Sequence, residues 1–181
     1  MKNCNCQTGY PPVNEPFYCP RMQAYIVRGP KGATGAQGPQ GPRGLDGIIE
    51  NSITVAEPQT IGVTAGGAVP FTQIVTQNGT NINIAVGDAN IALPRGIYLV
   101  IYSLSARNDE AQPRTATFSL ALDAEVLTGV ESVASVAQNQ IIPLSGNAII
   151  NVAADAVLSL VNTASDPINI SNVILSVVKL V

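Results

Sequence analysis

Three cysteines near the N-terminus, Cys4, Cys6 and Cys19, are the side chains of this 181-residue chain best suited to covalent chemistry. Because their number is odd, an internal pairing leaves at least one thiol for another chain. The sequence therefore predicts anchoring through intermolecular disulfides, with reduced thiols or a three-thiolate metal site as the alternatives. The chain has no histidine to complete a zinc tetrahedron, which argues against the metal site.

Oxygen-rich loops that could bind calcium are the other candidate ligand group. The acidic residues concerned are Asp109, Glu110, Asp123 and Glu125. No EF-hand or nonapeptide calcium spacing occurs around them. Since Arg107 and Arg114 lie beside the first two acids in sequence, solvated surface charge is the favoured interpretation.

Histidine and tryptophan are both absent, which removes the commonest general base and the commonest metal ligand. The serine, cysteine and carboxylate candidates follow no recognised catalytic spacing. The sequence therefore predicts neither an enzyme nor a cofactor or metal site.

Glycine recurs at every third position, at Gly29, Gly32, Gly35, Gly38, Gly41, Gly44 and Gly47. Three polyproline-like chains can wind around a common axis only if every third residue lacks a side chain. A flexible glycine linker has no fixed period and usually contains serine, which this segment lacks. The period therefore predicts a short collagen-like triple helix, and with it a homotrimer.

The six triplets span roughly 55 Å, and so short a triple helix needs a partner module that holds three chains together. Residues 48–181 are the candidate, after an anchoring arm at residues 1–28 and the stalk at residues 29–47. Residues 1–47 carry five basic and two acidic side chains, whereas residues 48–181 carry four basic and ten acidic ones. The positive charges of the first segment are scattered, so no nucleic-acid partner is predicted.

From Ile53 onward, short runs rich in Val, Ile, Thr and Leu alternate with turn residues about every eight to twelve positions, which is typical of an all-β sandwich. A hairpin turn is predicted at Asn78-Gly79 and a strand break at Ser145-Gly146-Asn147. The predicted strands are residues 52–57, 60–65, 69–76, 80–85, 89–92, 96–106, 115–123, 126–137, 139–144, 147–152, 156–162 and 167–180.

Both faces of the strand from Gly96 to Arg107 are largely apolar, with Ile97, Leu99 and Ile101 on one face. In an isolated sandwich each strand should present one polar face to water. A strand that is apolar on both faces therefore implies a second burial partner. Charge is sparse from residue 126 onward, where only Glu131, Asp155, Asp166 and Lys179 are charged. This pattern predicts a large subunit interface.

No apolar run of signal-peptide length follows Met1, and the later apolar stretches are only strand-sized. Neither a secretory signal nor a membrane span is therefore predicted. Collagen-like proteins normally work outside a cytoplasm, and assembly onto a spore from the surrounding mother cell is one route that needs no signal.

A cysteine-bearing arm, a Gly-x-y stalk and a β domain of about 130 residues together resemble the Bacillus collagen-like exosporium glycoproteins of the spore surface. Within the C-terminal domain the likeness lies in residues 64–71 and 94–100. The resemblance implies a tumour-necrosis-factor-like jelly roll of ten strands that trimerises, with the N-terminal arm attached to the spore layer or an appendage. Thr34 is the only threonine of the stalk, so heavy threonine-linked glycosylation is not expected. The short stalk favours a cap or tip.

The main hypothesis is thus a structural trimer of the exosporium that carries no catalytic activity. The alternatives are an adhesion module that binds a host glycan or protein, and a phage tail-fibre tip. Sugar recognition usually needs surface aromatics for stacking. The domain has only Phe71, Tyr98, Tyr102 and Phe118, and three of them lie in strands predicted to be buried.

Overall fold

Eleven β-strands account for the fold of a computed structural model that describes residues 31–32, 35 and 51–181. The chain divides into two units, Met1–Gly44 and Leu45–Val181. The strands are β1 (Ser52–Glu57), β2 (Ile61–Val63), β3 (Gln73–Asn78), β4 (Ile91–Leu93), β5 (Gly96–Arg107), β6 (Arg114–Leu122), β7 (Glu125–Val126), β8 (Ser132–Val136), β9 (Ile141–Val152), β10 (Ala156–Asn162) and β11 (Ile168–Lys179). The described residues contain no helix, and hence none that could cross a membrane.

Two antiparallel sheets face each other across the core. The six-stranded sheet has the order β3-β1-β11-β5-β9, with β2 also paired to β11. The five-stranded sheet has the order β4-β10-β6-β7, with β8 also paired to β6. Because the first and last strands are neighbours and the chain crosses repeatedly between the sheets, the topology is that of a jelly roll.

The core is formed by alternate side chains of both sheets, as period-two strands require. Tyr98, Val100 and Tyr102 of β5 point into it from the six-stranded sheet, while Phe118 of β6 and Leu160 of β10 do so from the five-stranded sheet. All five side chains are fully buried. The all-β prediction is confirmed, and β1 has the predicted bounds.

The predicted strand at residues 80–85 is wrong. Only an isolated pairing of Asn83 with Ala92 occurs there. Ile82 and Ile84 lie in a loop, and both side chains are buried. The alternation of apolar and polar residues here therefore reflects burial without strand pairing. The predicted hairpin at Asn78-Gly79 is wrong for the same reason: β3 ends at Asn78 and Gly79 has a φ of 74°, but no paired strand follows.

The predicted break at Ser145-Gly146-Asn147 is also wrong, because β9 runs without interruption from Ile141 to Val152. Gly146 lies opposite Tyr102 in the register of β5 and β9. A Cβ atom added at Gly146 would lie 2.6 Å from the Cε1, Cζ and hydroxyl oxygen atoms of Tyr102. Glycine is therefore needed here to make room for the tyrosine ring, and it does not form a turn.

Substituting Gly146→Ala is expected to destabilise the head by about 1–3 kcal/mol, the usual cost of overpacking a core. The added methyl group would collide with a buried ring whose hydroxyl is already held in place. Denaturant unfolding measures the change, with the neighbouring exposed Ser145→Ala as the control. Equal midpoints for the two variants would contradict the packing role of Gly146.

The hydroxyl oxygen of Tyr102 lies 2.9 Å from the carbonyl oxygen of Phe118 and 3.0 Å from that of Val130, and its single proton is donated to one of the two at a time. The pKa of this phenol is raised to about 12, mainly by burial, while a backbone hydrogen bond with Ser132 lowers it and the charge of Glu131 adds a smaller increase. Burial and, to a lesser degree, Asp155 also raise the pKa of Tyr98. The fold therefore favours the neutral form of both phenols.

Because the pKa of Tyr102 is higher in the folded than in the unfolded chain, its contribution is complete below about pH 10 and is lost as the pH rises toward about 12. Thermal unfolding should accordingly show a falling midpoint over this alkaline range. Tyr102→Phe is expected to flatten that fall, leaving the smaller part due to Tyr98. An unchanged slope in the variant would contradict the assignment.

Candidate functional site

The outer face of the six-stranded sheet is the candidate functional site. On β5, the side chains of Ile97, Leu99 and Ile101 point away from the core, as the alternating burial of this strand shows. Ile101 is 47% exposed, Ile174 of β11 is 45% exposed and Ile149 of β9 is 69% exposed. The predicted alternation of β5 is therefore confirmed, and its outward face is apolar from Ile97 to Ile101 only.

The strand register brings these side chains together at the end of the sheet where the described part of the head begins. The backbone N–H of Lys179 donates to the carbonyl of Asn51, at 2.9 Å, which places the C-terminal strand beside this end. One row across the sheet consists of Ser52, Val178, Leu99 and Ile149. The next row consists of Thr54, Ser176, Ile101 and Asn147.

Farther from Asn51 the same face becomes polar. The next rows across β11, β5 and β9 are Ile174, Ser103 and Ser145, then Ser171, Ser105 and Pro143, then Asn169, Arg107 and Ile141. Among the outward positions of the described strands β1, β5, β9 and β11, Arg107 is the only charged residue. The outer face is thus a nearly uncharged surface crossing four strands.

Arg107 is held in place by its neighbours at the polar end. Its Nε atom donates to Asp109 at 2.5 Å, and the Nδ2 atom of Asn169 donates to the other carboxylate oxygen of Asp109 at 2.8 Å. The buried Asn108 fixes the loop that follows β5, since its Nδ2 atom donates to the carbonyls of Gln112, at 2.7 Å, and Val136, at 3.1 Å.

A polar cleft of about 210 Å³ opens at this end, with both arginine–carboxylate pairs along its wall. Arg114 lies 3.7 Å from Glu110 and donates to the carbonyl of Pro167 at 2.7 Å. Asp109 and Glu110 are thus paired with arginines, which is the arrangement of ordinary surface charge. Over the described ranges, no three or more Cys, Asp or Glu side chains are placed to hold a metal ion together.

Asp123 and Glu125 lie elsewhere, around the turn between β6 and β7. One carboxylate oxygen of Asp123 accepts a hydrogen bond from the backbone N–H of Val157 at 2.8 Å. The four acidic residues singled out in the sequence therefore form two separate groups, and Asp109, Glu110 and Asp123 each have a partner within the chain.

All four aromatic residues of the head are buried. Phe71 is 1% exposed, and Tyr98, Tyr102 and Phe118 are each 0% exposed. The sequence predicted burial for three of the four, and the structure buries all of them. Within residues 51–181 no aromatic ring is therefore available at the surface for a sugar to stack on.

The three cysteines, Thr34 and most of the stalk glycines lie outside the described residues, so their predicted roles stay predictions. Gly32 and Gly35 are described, and both are exposed. A Cβ atom added at either position would meet no atom within 4 Å. Contacts within the single chain therefore give no reason for glycine at these two positions.

Sequence reasoning missed the contribution of β9 to the outer face, because it divided this strand at Gly146. The strand places Ser145, Asn147 and Ile149 on the face beside β5. The missing signal was long-range: an aromatic residue on a paired strand can occupy the space above a glycine.

No protein-family model matches the sequence, and no curated protein matches it significantly. Similar solved structures do exist. The globular domain of the zebrafish complement 1qA protein superposes with a TM-score of 0.54 at 11% identity, covering 71% of this chain and 94% of that one. Murine APRIL gives 0.56 at 12% identity, with 72% and 98% covered.

The Eiger TNF of S. frugiperda gives a TM-score of 0.55 at 13% identity, covering 72% of this chain and 94% of that one. Identities this low show the fold alone. The head is therefore an all-β jelly roll of the kind found in complement 1q and tumour necrosis factor, as predicted. It has eleven strands where the resemblance implied ten, β7 being only two residues long.

Proposed function

We propose that the protein is a structural component of the bacterial spore surface. In this proposal three copies join through the jelly-roll head, a short triple helix forms the stalk, and the N-terminal arm attaches to the spore layer or to an appendage. The observation that carries the proposal is the outer face of the six-stranded sheet, which is nearly uncharged along its length and exposes Ile101, Ile149 and Ile174 to water in the single chain.

The outer face supports association because monomeric proteins rarely expose contiguous apolar surface of this kind. Its exposed isoleucines would lose their contact with water when copies pack together, which stabilises the assembly at roughly 25 cal/mol per Å² of apolar surface buried. Arg107 is the only charge on the outward positions of β1, β5, β9 and β11, and it already has a partner in Asp109. Little electrostatic cost therefore opposes burial.

Three is the number of copies that the stalk requires, since the glycine period fits a three-chain helix. The described part of the head begins at Asn51, beside the C-terminal strand, so in the proposed three-fold assembly the three copies of Asn51 lie at one end. From there the Gly-x-y segments could wind together. The head would raise the local concentration of the three stalks, which a helix of six triplets needs.

The arm completes the proposal through Cys4, Cys6 and Cys19, which we assign to disulfides with spore proteins. The chain itself would then be an external cap or tip. The burial of every aromatic residue of the head disfavours sugar recognition as the main role. Assembly is therefore the favoured function.

Sedimentation equilibrium of the full chain under reducing conditions tests the trimer. The expected mass is three times 18.7 kDa, or about 56 kDa, at micromolar concentration. A stable monomer would contradict the proposal. Immunogold labelling of sporulating cells tests the location, and label confined to the cell interior after spore release would contradict a surface role.

Attachment is tested on intact spores by gel electrophoresis with and without reductant. We expect high-mass species that collapse to the monomer band when the disulfides are reduced. The matched control is a strain whose chain carries serine at positions 4, 6 and 19, which should give the monomer band under both conditions. If the native chain gave the same monomer band with and without reductant, the proposed covalent anchor would be contradicted.

A further inference from the structure

A hollow of about 260 Å³ lies on the outer face of the five-stranded sheet, the sheet opposite the one to which we assign association. Two small side chains that are paired across β10 and β6, Ser159 and Ala121, form its floor. Ala121 is paired in turn with Val126 of β7, which forms one wall. Gly66 and Ala68 form the other wall, on the far side of β10. The hollow therefore lies within one subunit, and association through the six-stranded sheet leaves it open.

The hydroxyl group of Ser159 is the polar group at the floor. Its neighbours Leu158 and Leu160 are fully buried in the core, so alternation along β10 turns Ser159 to the outer face. The residue is only 7% exposed, and its side chain makes no hydrogen bond to any residue that the structure describes. Among those residues Glu57 has the only fully enclosed side-chain oxygen without a partner, so the Ser159 oxygen keeps access to the hollow. It can donate one hydrogen bond there and accept two.

The remaining lining decides which class of ligand fits. No charged side chain lines the hollow in the described part of the chain, so an ion would lose hydration there without gaining a partner. The walls carry methyl-sized groups or valine, which suits a small apolar group. The volume is below the roughly 300–1,000 Å³ of pockets that enclose drug-sized ligands, so one substituent or one sugar ring fits.

The rim adds polar side chains. Asn90 directly precedes Ile91, the strand partner of Leu158, and therefore lies beside Ser159. Its exposed amide group both donates and accepts hydrogen bonds. Thr163, also exposed, adds a hydroxyl group. The amide group of Asn162 lines the hollow as well, but it is already bonded to backbone carbonyls and to a backbone N–H.

We propose that this hollow binds the acetamido group of an N-acetylated sugar. The methyl group of the ligand packs against the alanine and valine side chains, where its burial is favourable. The carbonyl oxygen accepts a hydrogen bond from Ser159, and the ligand N–H donates to the amide oxygen of Asn90. The ring hydroxyl groups then meet Asn90 and Thr163. An acetylated lysine offers only methylene groups to this rim, which is why a sugar is favoured.

This recognition does not use aromatic stacking, and it is independent of the proposed trimer because every lining residue belongs to one chain. A site that buries so few ligand atoms binds weakly, with a dissociation constant on the order of millimolar. A trimer would carry three such sites. A polymer with repeated N-acetylated sugars would therefore bind more tightly than the single sugar.

Saturation-transfer-difference NMR with the full chain tests the proposal. The probe is methyl N-acetyl-β-glucosaminide. Methyl β-glucoside replaces the acetamido group by a hydroxyl group, and N-butylacetamide represents the side chain of an acetylated lysine. We expect the strongest transfer at the acetamido methyl protons of the sugar, and several-fold weaker binding of the other two ligands. Absence of transfer to the acetylated sugar would overturn the proposal, as would equal binding of the glucoside or tighter binding of N-butylacetamide.

Two substitutions at one position locate the site. Ser159→Ala removes the hydroxyl group and is expected to weaken binding by about two- to ten-fold, the loss of one hydrogen bond. Ser159→Val fills the floor with a residue that strands favour, and it is expected to abolish the transfer. The matched control is Ser135→Ala, an exposed serine of β8 in the same sheet, which should bind as the parent does.

Circular dichroism shows whether each variant keeps the β fold, and Ser159→Ala alone carries the test if Ser159→Val does not. Unchanged binding by a folded Ser159→Ala protein would overturn the site. Sedimentation of the same samples separates this inference from the proposed function. A monomer that binds the sugar through Ser159 would contradict only the trimer, whereas a trimer that does not bind it would contradict only the inference.

Discussion

Replacing Ile101 by aspartate is expected to dissociate the trimer into monomers at micromolar concentration. Ile101 lies in the middle of the outer face, on the strand between β11 and β9. An unpaired charge buried in an interface costs about 3–5 kcal/mol, which corresponds to a loss of affinity of roughly a hundred-fold or more. Sedimentation velocity measures the change in mass.

The subunit itself should stay folded, because the side chain of Ile101 points away from the core and is already 47% exposed. The matched control is Val133→Asp, on the five-stranded sheet, where the native side chain is 61% exposed. This variant should stay trimeric. A trimer of unchanged stability for Ile101→Asp would show that the copies associate through another surface.

Replacing Gly38 by glutamate is expected to abolish the triple-helical signal of the stalk. The three glycines at one level of a triple helix lie at its crowded axis, where no side chain fits. The substitution would also divide a run of only six triplets near its middle, so neither remaining part is long enough to persist. Circular dichroism and protease resistance of the stalk both measure the loss.

The control for this variant is Gln37→Glu, which places the same side chain one residue away at a position that a triple helix turns outward. It should keep most of the signal and of the protease resistance. Equal behaviour of the two variants would mean that the glycine period does not report a triple helix.

The strands that sequence reasoning predicted well are those in which apolar residues alternate clearly and which have a paired strand on each side. β1 has its predicted bounds, and β5 and β10 differ from prediction by at most one residue. The central position of β1, β5 and β10 in their sheets explains this success, because burial then demands alternation along the whole strand.

The failures have long-range causes. Ser145-Gly146-Asn147 has the composition of a turn, but the ring of Tyr102 on a paired strand fills the space above the glycine. Ile82 and Ile84 alternate as in a strand, yet they are buried from a loop. No window of local sequence contains the information that decides either case.

The candidate site was predictable only in part. The outward residues of β5 follow from alternation, and they were predicted to need a burial partner. The composition of the whole outer face depends on the register of β5 with β11 and β9, and the fold also brings Asn169 to the side of Asp109 across 60 positions of sequence. That register becomes visible only in the folded chain.

The last residues of the chain are paired to the sheet, and this restricts where a cargo could be fused. The backbone N–H of Ile97 donates to the carbonyl of Val181 at 3.0 Å, and that of Leu180 donates to Ile97 at 2.7 Å. A peptide appended after Val181 would therefore leave the head on the side where Asn51 lies. For display in the opposite direction, the graft belongs in the loop after Asn108.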